Sequence, residues 1–127
     1  MNAGAYKVGQ KWGYKTRINE NDSTFIIIKI DQFPKAGVVI HVAIEGLKVK
    51  NPHQREKICK VMPHVPFSKE AIDKSVIRLI EENLKLFFFM DGYDMWQKAF
   101  DRGEAGIYTI TIAEAIETME KTLNTEK

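Results

Sequence analysis

The chain of 127 residues has one cysteine, Cys59, and it has no long apolar run. A single cysteine excludes an internal disulfide, so we expect the reducing environment of the cytoplasm. The longest uninterrupted apolar segments, residues 25–28 and 86–90, are far too short to cross a bilayer. The N-terminus lacks the basic and apolar regions of a secretory signal, and we expect no membrane partner.

The chain also lacks a concentrated excess of charge of one sign. Its 19 Lys and Arg residues against 17 Asp and Glu residues give a formal net charge of +2. Proteins dedicated to nucleic acids usually carry a clustered basic excess, so the charge does not predict a nucleic-acid partner. No glycine-rich phosphate loop and no G-x-S-x-G sequence occurs, so neither a nucleotide cofactor nor a serine nucleophile is predicted.

The histidines and the cysteine are spaced too widely to predict a metal site. Five residues separate His53 from Cys59, and four separate Cys59 from His64. Structural zinc sites usually show ligand pairs at shorter spacing, as in C-x₂-C. We therefore predict no metal and no other cofactor.

The N-terminal part, residues 6–50, has the pattern of β-strands joined by turns. Alternation over residues 6–17, a β-branched run over 24–31 and a second alternating segment over 38–44 predict three strands. Strands joined by short loops pair antiparallel, because parallel neighbours need a long crossover. We therefore predict an antiparallel β-meander, which strong twist would curl into a half-barrel.

The C-terminal part, residues 68–127, is predicted to be helical and to pack on this meander, which gives an α+β fold in a single domain over 1–127. Ser68 is a favourable N-cap for a helix, and apolar residues follow it at helical spacing. These residues are Ile72, Val76, Leu79, Ile80 and Leu84. A short helix is expected over 93–101, a short strand near 106–110, and a final helix after the capping box formed by Thr111 and Glu114. Three prolines in residues 51–67 predict an irregular connection there.

His41 is one of two candidate catalytic histidines. It lies on the third predicted strand and shares a face with Glu45, about 13 Å further along, which is too far for direct pairing. A general base needs an orienting partner within hydrogen-bond reach. His41 is therefore either a base in a cleft between sheet and helices, with Glu45 assisting, or a histidine on the covered face of the sheet.

His64 is the second candidate. It lies in a segment with two prolines, and a rigid loop there would present the histidine at a site. The same segment has a structural explanation, because Phe67 before the N-cap Ser68 can pack against Ile72 as a hydrophobic staple.

Trp12, Tyr14 and Arg17 are candidate binding residues. Barrel-like folds bind single-stranded nucleic acid by stacking bases on aromatic rings beside basic groups. Trp12 and Tyr14 share one strand face, however, and the simpler use of that face is the hydrophobic core.

Phe87, Phe88 and Phe89 form the centre of the apolar run over residues 86–90, and they are further binding candidates. Consecutive exposed apolar residues would mark a contact surface for a partner protein or a second copy. A buried strand or helix end explains the run equally well.

Four segments taken together resemble a group of small uncharacterised bacterial proteins. They are Gly9-x-x-Trp12-x-Tyr14-x-x-Arg17, the strand containing His41-Val42, His64-x-Pro66-Phe67-Ser68, and Gly106-Ile107-Tyr108-Thr109-Ile110. The likeness covers most of the chain. It implies a bacterial, cytosolic setting and brings no activity or ligand with it.

These observations favour a non-enzymatic protein that acts through a protein–protein surface or as a homodimer. An inhibitor or immunity-type role is one form that such a function takes. Two alternatives stay open at this point. One is a small enzyme using His41 or His64 in a cleft between sheet and helices, with Glu45, Tyr14 or Arg17 assisting. The other is a nucleic-acid-binding module on the basic face of the meander.

Overall fold

The computed structural model describes residues 6–86 and 90–125, which form a mixed α+β fold. The strands are β1 (Lys11–Tyr14), β2 (Thr24–Phe33), β3 (Gly37–Glu45), β4 (Val49–Lys50), β5 (Ile58–Cys59), β6 (Met62–Ser68) and β7 (Val76–Glu81). The helices are α1 (Lys69–Ser75), α2 (Met90–Asp101) and α3 (Ile112–Thr125). No helix in the described part of the chain is long and apolar enough to span a membrane.

The predicted antiparallel meander is confirmed as the centre of the sheet. β1 pairs with β2 and β2 pairs with β3, both antiparallel. The complete order is β6-β3-β2-β1-β7, and β4 and β5 form a separate two-stranded ribbon. The five-stranded sheet stays open, with β6 at one edge and β7 at the other, and it does not close into a barrel.

The prediction of an irregular connection over residues 51–67 was wrong in its second half. Residues of β6 extend the sheet beyond β3, in spite of Pro63 and Pro66. A proline lacks a backbone N–H, and strands tolerate it at a sheet edge, where that group is not needed for pairing. β6 is such an edge strand, so its prolines are compatible with the sheet.

The prediction of one helix running from Ser68 through Leu84 was also wrong. Ser68 does cap a helix, since its hydroxyl accepts from the backbone N–H of Ala71. The helix ends at Ser75, however, and Val76 is extended, with φ −68° and ψ 146°. Residues from Val76 onward pair with β1 as β7. Apolar residues at three- and four-residue spacing suit a helix, but the open edge of β1 provides backbone partners that only a strand satisfies.

The C-terminal helices agree with their predictions. α2 contains the expected 93–101 segment, and α3 begins after Thr111. The capping box is formed, because the Glu114 carboxylate accepts from the Thr111 N–H at 3.0 Å and the Thr111 hydroxyl accepts from the Glu114 N–H at 3.2 Å. Residues 106–110 do not form the predicted strand. Tyr108 makes a single parallel bridge with Phe67.

The two faces of the sheet carry two separate apolar clusters. The larger one lies under α1 and α3 and includes Phe25, Ile40 and Ile116. The smaller one lies under α2, with Val39, Tyr93 and Trp96 at its centre. Alternation along β3 separates the clusters, because successive side chains point to opposite faces. The face opposite the larger core is therefore covered by α2, and this is where the candidate histidines lie.

Candidate functional site

His41 and His64 lie side by side under α2. They come from the paired strands β3 and β6. Their rings are stacked with centroids 5.1 Å apart, and His41 Nδ1 lies 2.9 Å from His64 Nε2. His41 is fully buried, whereas His64 is half-buried. The structure thus joins two candidates that the sequence presented separately.

A chain of hydrogen bonds continues from this pair to Asp31 and Tyr93. His41 Nε2 lies 3.0 Å from Asp31 Oδ2, and the Tyr93 hydroxyl donates to the same oxygen at 2.9 Å. A carboxylate oxygen only accepts, so His41 Nε2 carries a proton and donates it to Asp31. In a neutral His41 the Nδ1 atom then accepts, and the Nε2–H of His64 is its donor.

A β-bulge in β2 places Asp31 on the same face as His41. β2 pairs regularly with β3 up to Ile27, and the register then shifts before Lys29, which lies opposite His41. Asp31 follows Lys29 by two residues and points to the same side of the sheet. With regular alternation and no bulge, Asp31 would share the face of Ile27, which belongs to the larger core.

α2 covers the histidine pair with two aromatic rings and a glycine. The rings of Tyr93 and Trp96 meet the His41 ring edge-on, with centroid distances of 4.8 and 4.6 Å. A Cβ atom on Gly92 would lie 2.8 Å from His64 Cβ, so the helix backbone is in direct contact with that histidine. The indole N–H of Trp96 donates to the Gly106 carbonyl at 3.0 Å and fixes the helix at its far side.

Burial sets the ionisation of this cluster. Burial and, to a smaller extent, the neighbouring His41 lower the pKa of His64 to about 4. Burial also lowers the pKa of His41, although Asp31 opposes that shift. Burial and the hydrogen bond to Asp31 raise the pKa of Tyr93 to about 12. The pair is therefore neutral at pH 7.

A cavity of about 550 Å³ reaches His64 along the edge strand β6. Its walls come mainly from β6, Tyr108 and α3, and include Met62, Val65 and Met119. His41 does not line this cavity. The histidine pair has polar partners within hydrogen-bond reach, as the enzymatic hypothesis requires. Of the two histidines, however, His64 alone lines this cavity.

Glu45 does not take part in the histidine cluster. It ends β3, and its backbone carbonyl accepts a hydrogen bond of 2.6 Å from the Ser23 hydroxyl. The partner of His41 is instead Asp31, which comes from the neighbouring strand. The carboxylate that bonds His41 therefore comes from another strand, and it is not the predicted Glu45.

Trp12 and Tyr14 are both buried in the larger core, at 3% exposure each. The indole N–H of Trp12 donates to Gln10 Oε1 at 3.0 Å, and the Tyr14 hydroxyl lies 2.7 Å from Ser23 Oγ. The interpretation of this strand face as core is confirmed. Rings in this position are not available to stack on bases, so they give no support to the nucleic-acid alternative.

Arg17 is held by three carboxylates of the chain itself. Its guanidinium donates to both oxygens of Glu20 at 2.8 Å, and to Glu117 and Glu120 of α3 at 2.9 and 3.0 Å. Glu20 is almost fully buried and also accepts from the Lys48 N–H at 2.7 Å. Arg17 therefore ties the loop after β1 to α3.

Phe87, Phe88 and Phe89 lie outside the described residues. The strand that precedes them, β7, carries an exposed apolar surface that the sequence did not indicate. Ile77 is 57% exposed and Ile80 42%, and both border Gly13 on one face of the sheet; we call these two residues the β7 patch. Leu79, which is 39% exposed, lies opposite Trp12 and points to the other face. Among the described residues β7 pairs only with β1, so the patch borders the outer edge of the sheet.

The cysteine and the remaining histidine do not join the hydrogen-bonded cluster of His41, His64, Asp31 and Tyr93. His53 is exposed, and the Cys59 thiol donates to the Val61 carbonyl at 3.2 Å. Within residues 6–86 and 90–125, no three His, Cys, Asp or Glu side chains converge in a way that would hold a metal ion.

Sequence reasoning missed Asp31, Tyr93 and Trp96 as members of the cluster. Asp31 is the last residue of the predicted strand over 24–31, and the two aromatic residues fall in the predicted short helix over 93–101. The signal that was available is the polar His41 in a strand otherwise built from aliphatic residues. A polar side chain buried there needs partners, although the sequence does not say which.

Comparisons with protein-family models, with curated proteins and with solved structures found no match for this chain.

Proposed function

We propose that this protein is a non-enzymatic interaction protein that joins a second copy of itself along β7. The observation that carries the proposal is the β7 patch, in which Ile77 and Ile80 are exposed together on one face at an edge of the sheet. Exposed apolar residues scattered singly are ordinary, whereas neighbouring ones on an edge strand favour contact with another chain.

The charges of β7 favour a second copy as the partner. Arg78 lies near the start of the strand and Glu81 at its end. Both share one face of the sheet, because the register places Arg78 opposite Gly13 and Glu81 opposite Lys11. In an antiparallel pairing whose two-fold axis passes between Leu79 and Ile80, Arg78 of each copy lies beside Glu81 of the other. Symmetry then forms this ion pair twice.

The shape of β7 limits how the two copies meet. Its register against β1 shifts twice, between Lys11 and Trp12 and again between Gly13 and Tyr14. Bulges of this kind bend an edge strand and interrupt continuation of the backbone ladder. We therefore propose a contact made by side chains, with Ile80 of both copies at its centre, the two ion pairs on either side and Ile77 outside them.

A contact based on one six-residue strand is small, and small interfaces are weak. Sedimentation equilibrium at protein concentrations up to about 1 mM is therefore the appropriate measurement. We expect a reversible monomer–dimer equilibrium that the Ile80→Lys variant shifts to monomer. The matched control is Met95→Lys, which replaces a side chain that is 74% exposed on α2 and should leave the dimer unchanged.

Charge reversal tests the two-fold arrangement itself. Arg78→Glu and Glu81→Arg should each weaken self-association at least tenfold, because each places like charges opposite one another. An equimolar mixture of the two variants restores both ion pairs and should dimerise like the wild type. A wild type that stays monomeric over the whole concentration range, or a mixture no better than its components, would refute the proposal.

A further inference from the structure

The contacts between α2 and the sheet lead to an inference that is independent of self-association. We propose that His41 and His64 form an acid-sensitive latch, which holds α2 on the sheet while the pair is neutral and releases it when the pair is protonated. The latch is the direct hydrogen bond between the two rings, 2.9 Å long, together with the contacts that α2 makes with them.

The hydrogen bond between the two rings requires that one of the two facing nitrogens is unprotonated. His41 Nε2 is committed as a donor to Asp31, so His41 Nδ1 is the atom that accepts from His64. A proton on His41 Nδ1 would place two N–H groups head to head at this distance. A proton on the other nitrogen of His64 preserves the bond, but it creates a cation on a half-buried ring that packs against His41 and Gly92.

α2 packs directly on this histidine pair. Trp96 and Tyr93 both pack edge-on against the His41 ring, and the Tyr93 hydroxyl is bound to the same Asp31 oxygen as His41. Gly92 lies against His64. These contacts belong to the smaller apolar cluster, which lies apart from the larger core. A change in the pair therefore acts on α2 while α1 and α3 keep their own contacts.

Charged side chains on β2 and α2 surround the histidine pair and Tyr93. From β2, Asp31 favours a positive charge on His41 and the Lys29 ammonium opposes it. Lys29 Nζ also lies 5.7 Å from the centre of the Tyr93 ring. From α2, Asp94 and Asp101 act on Tyr93. Asp31 accepts hydrogen bonds from His41 and from the Tyr93 hydroxyl. Burial and His41 both lower the pKa of His64, so a proton on that ring is disfavoured.

Amide hydrogen exchange as a function of pH, corrected for the intrinsic exchange rate, tests the latch in the intact protein. Between about pH 7 and about pH 4, we expect protection of α2 to fall at least tenfold while protection of α3 is retained. In His64→Gln the selective loss should disappear, because the glutamine amide still donates to His41 but does not titrate. His53→Gln, which removes the exposed histidine, should behave like the wild type.

Two results would overturn the latch. One is that α2 and α3 lose protection together over this pH range, and the other is that His64→Gln retains the selective loss. If His64→Gln fails to fold, a pH titration of the histidine ring signals of the wild type, followed by NMR, tests the latch instead. Titration of both rings near pH 6.5, with no accompanying change in the α2 amide signals, contradicts the proposal. None of these readings depends on whether the protein dimerises.

Discussion

Gly92 of α2 lies so close to His64 of β6 that a Cβ atom on the glycine would be 2.8 Å from His64 Cβ. Real side chains do not approach this closely, so only a residue without a side chain allows α2 to lie on the histidine. The contact explains why a glycine occurs in the first turn of a helix, where it costs about 1 kcal/mol relative to alanine.

The Gly92→Ala variant should therefore destabilise the protein. Any gain in helix propensity is outweighed, because α2 or His64 must move to make room for the methyl group. We expect a loss of about 1–3 kcal/mol in the free energy of unfolding, measured by urea denaturation. Gly106→Ala is the matched control, because no atom lies within 4 Å of the position of its Cβ. A Gly92→Ala variant as stable as the wild type would show that α2 tolerates displacement.

The stability of the protein should fall as the pH is lowered from about 6.5 to about 4. The pKa of His64 is about 4 in the folded chain against 6.5 for an ordinary histidine, so the unfolded chain binds the proton first. The stabilisation is fully present above pH 6.5 and is lost progressively below it. From this group alone we expect a loss of up to about 3 kcal/mol.

Urea denaturation at a series of pH values measures this slope. His64→Gln should flatten the curve between these pH values, and His53→Gln should leave it as in the wild type because His53 is exposed. Equal slopes for the wild type and His64→Gln would assign the acid sensitivity to other groups.

Glu20 and Glu117 offer a paired test of burial, because both carboxylates bind Arg17. Glu20 has a side chain that is 1% exposed and Glu117 one that is 50% exposed. Glu20→Ala removes the two shortest hydrogen bonds of Arg17 and the acceptor of the Lys48 N–H. We expect it to cost about 3 kcal/mol, since it leaves buried donors without a partner.

Glu117→Ala should cost less than about 1 kcal/mol, because an exposed ion pair contributes little. Thermal or urea unfolding of both variants gives the comparison. Equal losses for the two variants would mean that burial of Glu20 is not what makes the network stabilising.

The local chemistry of the sequence determined several elements by itself. The β-branched run gave β2, and the alternation around His41 gave β3 with the correct faces. Ser68 and Thr111 marked the two capped helix starts, because each hydroxyl satisfies a backbone N–H that the helix leaves free. These are interactions between residues close together in the chain, and the sequence states them directly.

The tertiary structure alone decided where α1 ends and which carboxylate meets His41. Val76 and its neighbours fit a helix or a strand, and the free edge of β1 selected the strand. Asp31 lies on the same face as His41 because the bulge in β2 interrupts the regular alternation of side chains along that strand. A bulge leaves no mark in the pattern of apolar residues, because its cause is pairing between distant segments. The histidine pair is likewise a product of strand pairing, since β3 and β6 bring together residues 23 positions apart.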